Sequence, residues 1–395
     1  MPVIGIIAEY NPFHQGHAYQ MAQARSLLGA DSPVVAVMSG NFVQRGEAAL
    51  LHKHARAEIA VRCGADLVLE LPTSYAAATA EIFARGGVSL LAATGVVSHL
   101  CFGSECGDLE RLERLAECLD GQACQAGLRR FLDEGMTFAA ARQAATREIL
   151  GDAADSLSRP NDNLAVEYLR AARALGAGLT PLAVRRVGAA HDSEEIGTCA
   201  SASAIRRRIL TGEPWEHLVP AESAAVLRRE MAAGRAPVSL AACERLILSR
   251  LRAMDEEALR PYDGGNEGLY HRFYAAVRRA ATLEELLELA KTKRYTHARL
   301  RRMALAAWLG LEGPGEVPSY LRVLAANRRG CRLLKEMKGR AALPILTKPG
   351  DVRGLGEKAE RSLARESRYT DQYTLAWPVP GPPGQEYTAG PVILP

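Results

Sequence analysis

The chain has 395 residues, 48% hydrophobic and 24% charged, an ordinary balance for a soluble globular protein that can bury sizeable cores in two domains or one large one. No apolar run is long enough to span a bilayer and no basic segment leads into an apolar one at the N-terminus, so no membrane partner and a cytoplasmic location are expected. The net charge of +4 is uneven: residues 291–350 hold 14 Lys+Arg against 3 acidic residues, +11, which leaves −7 for the rest. That asymmetry points to a polyanion partner for one part of the molecule, with a solvated helical face as the plainer alternative. The cysteines at 63, 101, 106, 118, 124, 199, 243 and 331 contain no C-x-x-C pair. They read as reduced thiols, and Cys101 and Cys106 lack partners at zinc spacing, so no metal site is expected.

Val3–Ala8 is short, apolar and partly β-branched, as a buried parallel strand should be. A helix follows over His17–Leu28, then a strand over Pro33–Gly40, a helix over Lys53–Gly64 and a strand over Asp66–Pro72. Tyr75–Leu91 is predicted helical, Val97–Gly103 a strand and Asp108–Gly121 a helix. Residues 122–158 are mainly helical, Asn163–Leu175 is another helix, and Thr180–Gly188 a fifth strand. The alternation predicts an α/β fold, a parallel sheet with helices on both faces. Ser201–Leu210 opens a helix on hydroxyl residues. Beyond about residue 215 strand signals fade, and most of Pro237–Met337 reads as amphipathic helix. The last 18 residues, rich in Pro and Gly, read as an extended tail. The expected division is a catalytic domain over 1–215, a helical domain over 216–377 and a tail over 378–395.

The stretch "HQGH" (His14–His17) falls just past the first strand, at the start of a helix. Open α/β sheets bind ligands at the carboxyl ends of their strands, and helix N-termini offer unpaired N–H groups to phosphate. His14 and His17, three apart, share a helical face and can donate to phosphate oxygens. Gly16 lets a base or phosphate approach the backbone. The stretch is a nucleotide cradle, and its chemistry is attack at the α-phosphate with the histidines offsetting developing charge. Two surface histidines in a loop are the bland alternative.

"HQGH" after an N-terminal strand resembles the His-x-Gly-His signature of nucleotidylyltransferases and class I aminoacyl-tRNA synthetases, and "SASAIRRR" (Ser201–Arg208) resembles their second signature, a turn that helps hold triphosphate. A narrower resemblance spans residues 5–348: "GIIAEYNPFHQGH", "VMSGNFVQRGE", "GADLVLELP", "FGSE", "RPNDNLAVEYL", "KTKRYTHARLRR" and "LPILTK" follow in the order of the bacterial tRNA(Met) cytidine acetate ligase family. This resemblance implies a Rossmann-like nucleotidylyltransferase sheet followed by a mainly α-helical, tRNA-binding C-terminal domain. It also implies the activity: ATP and acetate give acetyl-adenylate, and the acetyl group passes to N4 of the wobble cytidine of elongator tRNA(Met). Mg2+ is expected with the ATP.

By the same resemblance the ATP site comprises Ile7, Ala8, Glu9, Tyr10, Asn11, Pro12, Phe13, His14, Gln15, Gly16, His17, Ala18, Tyr19 and Gln20, with Gly103, Asn161 and Arg186. His14, His17 and Arg186 are the expected catalytic groups, the guanidinium offsetting charge on phosphate. The Pro-Asn segment reads Asn161-Asp162-Asn163 where consecutive asparagines are expected, so Asn163 is the alternative ligand, and a plain helix cap is a further reading. His52 stands where the family pattern has an acidic residue before Lys53. Asn41, Gln44, Arg45 and Lys53 follow the second strand and are candidates for substrate or phosphate, as are Ser201, Ser203 and Arg206 in the second signature. Lys291, Lys293, Arg294, Tyr295, Arg299 and Arg302 combine backbone-pairing charge with an aromatic for stacking, the expected RNA contact. Two rival functions use parts of this pattern: a small-molecule nucleotidylyltransferase, which needs no basic helical half, and a non-catalytic RNA-binding protein, which needs no nucleotide signatures.

Overall fold

The computed structural model describes residues 1–186, 200–264, 268–314 and 317–395. Val187 and Gly188 of the expected fifth strand, and Cys199, lie outside the described residues.

Five apolar runs form the five strands the sequence predicts, and five further strands join them among the described residues. In chain order these are β1 (Ile4–Ala8), β2 (Val34–Ser39), the short pair β3 (Phe42–Val43) and β4 (Glu47–Ala48), β5 (Leu67–Leu71), β6 (His99–Ser104), β7 (Thr180–Arg185), β8 (Leu321–Ala326), β9 (Ile345–Leu346) and β10 (Val392–Ile393). The main sheet has the order β10-β8-β5-β2-β1-β6-β7, with β9 beside β8, and β3-β4 make a separate hairpin. β1 pairs in parallel with β2 on one side and β6 on the other. The chain therefore leaves β1 in one direction and returns on its other flank, which opens a crevice at the carboxyl ends of β1 and β6.

Successive side chains point to opposite faces of a strand. Ile7, Val35, Val37 and Leu69 pack with Phe83, Leu90 and Leu91 in one cluster, while Ile4, Ile6, Ala36 and Met38 pack with Met21, Ile59 and Ile205 in another. Covering both faces is why these strands read as continuous apolar runs. A third cluster, with Phe273, Leu286, Leu300, Trp308 and Tyr373, fills the helical part and takes in Phe42 and Ala48 of the hairpin.

Two expectations are corrected. Leu321–Ala326, read as helix, is β8, buried at every position and antiparallel to β5. Its apolar run is too short to carry a period, and Arg322 at its second position hides the pattern. That side chain is buried, with its Nη2 3.2 Å from the Ala389 carbonyl. The expected tail over 378–395 is folded: Gln385–Thr388 is a helical turn, Glu386 is 1% exposed, and β10 pairs in parallel with β8. Pro and Gly exclude a long helix there, but backbone pairing supplied by β8 is invisible to composition. The last third of the chain thus returns to the sheet begun by residues 1–215.

Candidate active site

Helix α1 (Gln15–Leu28) starts on an unusual cap. His14 is the N-cap residue, and its Nδ1 accepts from the Gly16 N–H at 3.0 Å. The His14 N–H in turn donates to His17 Nδ1 at 3.2 Å. The two imidazoles thereby replace the hydroxyl and carboxylate of an ordinary capping box. With each Nδ1 acting as acceptor, a neutral ring carries its proton on Nε2. Burial, with the neighbouring His14 and Arg186 adding to it, holds the His17 pKa well below its ordinary value, so that ring is neutral. The ring centroids lie 3.9 Å apart, and Tyr10 and Phe13 flank His17 at 5.0 and 5.3 Å.

The cavity beside this cap is lined by His14, Gly16, Tyr19 and Gln20 from α1, Gly103 from the end of β6, Val184, Arg185 and Arg186 from the end of β7, and Ala200 and Ser201. A side chain at Gly16 would sit 2.8 Å from His14 Cε1, so only glycine leaves the histidine in place. Arg186 is exposed and lies over Gly103. Ser201 caps the helix Ala202–Thr211, its Oγ accepting from Ala204 N at 3.2 Å. Two helix N-termini, the His14 imidazole and the guanidiniums of Arg185 and Arg186 thus converge on one crevice, with His17 packed against His14 behind the lining, an arrangement suited to a triphosphate.

The HIGH Nucleotidyl Transferase family model matches residues 1–382. The tRNA(Met) cytidine acetate ligase of Acetivibrio thermocellus is 36% identical, with all of both chains covered. That of Caldanaerobacter subterraneus is 38% identical over 95% of this chain and 96% of the relative. The chain belongs to the tRNA(Met) cytidine acetate ligase family. Thermotoga maritima TmcAL, without ligand, has the same fold at TM-score 0.93 and 33% identity, and its form bound with alpha-thio ATP superposes at TM-score 0.92 and 34% identity, each covering all of both chains.

Against the family pattern, not every expected residue of this ligase-family chain reaches the cavity. Ile7, Tyr10 and Phe13 are core residues behind the cap, and Ala8, Glu9, Asn11, Pro12, Gln15, His17 and Ala18 are likewise absent from the lining. Asn161 is tied instead to Glu105, its Nδ2 donating to Oε1 at 2.5 Å, and Asn163 Oδ1 accepts from Arg142 Nη1 at 2.9 Å. Between them sits Asp162, fully buried, which accepts from Ser104 Oγ at 2.5 Å and Glu105 N at 2.8 Å. Asp162 therefore latches the turn that follows Gly103. Its place in Asn-Asp-Asn is the only sequence signal for it.

Lys53 does not face phosphate. It is buried with Nζ 2.6 Å from Glu70 Oε1 and paired with Glu386. Burial opposes its charge, but the two carboxylates outweigh that and raise its pKa. Asn41 is occupied by structure, its Nδ2 donating to Thr370 Oγ1 and its Oδ1 accepting from Lys53 N, both at 2.9 Å. Gln44 N donates to Glu9 Oε1 at 2.7 Å, and Arg45 is half-buried and engaged. Arg206 donates from Nη1 to the Asn11 carbonyl at 2.8 Å and from Nη2 to Ser203 Oγ at 3.3 Å. His52, where the family pattern has an acid, caps helix α2 (Lys53–Arg62), accepting from His54 N at 3.4 Å. The imidazole does a capping job that an acid would also do.

The basic stretch divides. Lys291, Lys293 and Arg294 are exposed. Tyr295 is only 7% exposed and belongs to the helical core, so it is not a stacking platform. Arg299 Nη2 lies 3.1 Å from Asp263 Oδ1. Arg302 donates to the Gln44 carbonyl at 3.3 Å, and Arg301 pairs with Glu47 at 2.8 Å. Two of its six basic residues therefore hold the hairpin after β2, and Arg299 is paired with Asp263.

Proposed function

We propose that this chain is an ATP-dependent ligase that activates acetate and acetylates N4 of the wobble cytidine of elongator tRNA(Met), in the cytoplasm. An acetate oxygen attacks the α-phosphorus, the bond to pyrophosphate breaks, and acetyl-adenylate forms. The N4 amine then attacks the acetyl carbonyl, loses its proton, and AMP leaves. Activation is needed because a carboxylate is a poor acyl donor, whereas AMP is a good leaving group.

The observation that carries this reading is the reciprocal cap, which leaves His14 and His17 with Nε2–H donors and sets His14 in the lining of a helix-lined crevice, His17 directly against it. Such donors stabilise negative charge growing on the α-phosphate oxygens. Arg186 and Ser201 take the outer phosphates, and Mg2+ arrives with the ATP. Among the described residues no group of three or more His, Cys, Asp or Glu side chains could hold a metal ion. Exposed Lys291, Lys293 and Arg294 supply phosphate contacts to the tRNA. The names of the relatives, together with the ATP-analogue complex of the Thermotoga maritima protein, support this substrate set.

The test is incubation of protein, ATP, labelled acetate and bulk tRNA. Label in tRNA with release of AMP is the expected result. AMP joined to a small molecule without labelled tRNA would select a small-molecule nucleotidylyltransferase, and ADP as the stoichiometric product would contradict the adenylate.

A further inference from the structure

The loop from β1 to α1 is held by side chains from three distant segments. Glu9 O accepts from Arg56 Nη1 at 2.5 Å, Asn11 O from Arg206 Nη1 at 2.8 Å, and Phe13 O from Ser223 Oγ at 3.1 Å. Every second carbonyl on the approach to His14 is thus taken. Arg56 is 1% exposed and gives three further donors to Leu51 O and Ser39 O, both at 3.0 Å, and to Gly40 O. Its guanidinium ties the carboxyl ends of β1 and β2 together. The Asn11 side chain adds a fourth tether, Oδ1 accepting from Leu50 N at 2.8 Å.

Inside this frame Tyr10 has φ of 47°, and it is the only non-glycine residue with positive φ among the described residues. A residue with a Cβ is disfavoured there and keeps the conformation only where its surroundings over-determine it. None of Arg56, Arg206 and Ser223 lines the cavity. Their common product is the placement of the backbone that starts α1.

We infer that Arg56, Arg206 and Ser223 are positioning residues for adenylate formation: by gripping the carbonyls of Glu9, Asn11 and Phe13 they fix the strained loop and so aim His14 and His17. The inference rests on the proposed reading of the cavity as the α-phosphate site. Donors fixed in advance act without reorganisation at the moment of reaction, so loosening them costs rate before it costs affinity. Arg206, a phosphate candidate from sequence, acts on the loop instead.

Arg56 is too deeply buried for a clean substitution, so the test uses the other two. Ser223→Ala and Arg206→Met are compared with Ser223→Thr and Arg206→Lys in the full chain. Three quantities are measured: kcat of acetate-dependent ATP–pyrophosphate exchange per folded molecule, Kd for ATP, and imidazole 15N spectra without ATP. The first pair should lose roughly 10- to 100-fold in kcat with Kd changed less than about threefold. The second pair should recover most of the rate. In the spectra, His14 and His17 should be single Nε2–H tautomers in the wild type and mixed in the first pair. Unchanged kcat and unchanged spectra in both variants would overturn the inference. If the wild type shows no exchange, the functional reading fails, and the spectra still decide whether these side chains set the histidines.

Discussion

At the residue scale, the donor role proposed for His14 and His17 rests on each Nδ1 being committed to a backbone N–H, which leaves Nε2 to carry the proton. His17→Ala should slow acetate-dependent exchange about 100- to 1,000-fold while ATP affinity changes far less. Weaker ATP binding with unchanged turnover at saturating ATP would contradict the assignment. Since burial keeps His17 neutral well below its ordinary pKa, its donor role should persist as pH falls from 8 to 6, and exchange should show no step near 6.5 from this group. Lys53 makes a different prediction. Lys53→Met leaves Glu70 and Glu386 buried without their cation, a loss of about 3–5 kcal/mol that a shift in the denaturation midpoint would reveal; a phosphate ligand would instead lose ATP affinity with stability kept. The histidines were legible because their meaning lies within four consecutive residues. Lys53 was not, because its partners come from β5 and from the end of the chain.

At the element scale, the hairpin β3–β4 joins the basic helix to the nucleotide loop. Arg302 holds Gln44 O, Gln44 N holds Glu9, and a side chain at Gly46 would run into the backbone of Arg301 and Arg302. Replacing Lys291, Lys293 and Arg294 with Ala should therefore weaken tRNA binding and flatten its salt dependence while exchange stays intact. Arg302→Ala should lower exchange in the absence of tRNA. Equal effects of the two changes on exchange and tRNA binding, measured side by side, would refute this split. The charge count found the basic region but could not say which cations are already paired. It also could not show Tyr295 in the core, since an aromatic among cations has the same spelling in a binding face and in a helix seam. The parallel strands were readable from β-branched apolar runs with polar loops between them. β8 and β10 were not, because what makes them strands is pairing with each other and with β5.

At the scale of the whole molecule, the C-terminal residues close the sheet and bring Glu386 to Lys53. Burial opposes the charge on Glu386, but Lys53 and the Thr370 hydroxyl hold its pKa down at about 2. Burial and the nearby Glu70 push Glu366 up to about 8, and burial raises Glu70 as well. His17, His52 and His54 are shifted downward, chiefly by burial, His54 to about 4. Below pH 6.5 the unfolded chain protonates these three histidines while the fold excludes the protons, which costs stability as pH falls. Glu70 and Glu366 act in the opposite sense above 4.5, since the fold retains protons that the unfolded chain releases. The three histidines therefore favour rising stability as pH climbs to about 6.5, against the opposing carboxyl groups. Stability should then decline toward pH 8 as Glu366 alone continues. Denaturant titrations across that range check the maximum near 6.5. In the proposed reaction, acetate is joined to AMP at the His14–His17 cap before the acetyl group meets RNA. The most direct test of that order is a single-turnover reaction with 18O-labelled acetate, ATP and tRNA(Met). An acetyl-adenylate intermediate leaves one labelled oxygen in the phosphate of AMP for each acetyl group on cytidine N4, with pyrophosphate released. Acetylated tRNA with no 18O in AMP, or with ADP as the product, would contradict it.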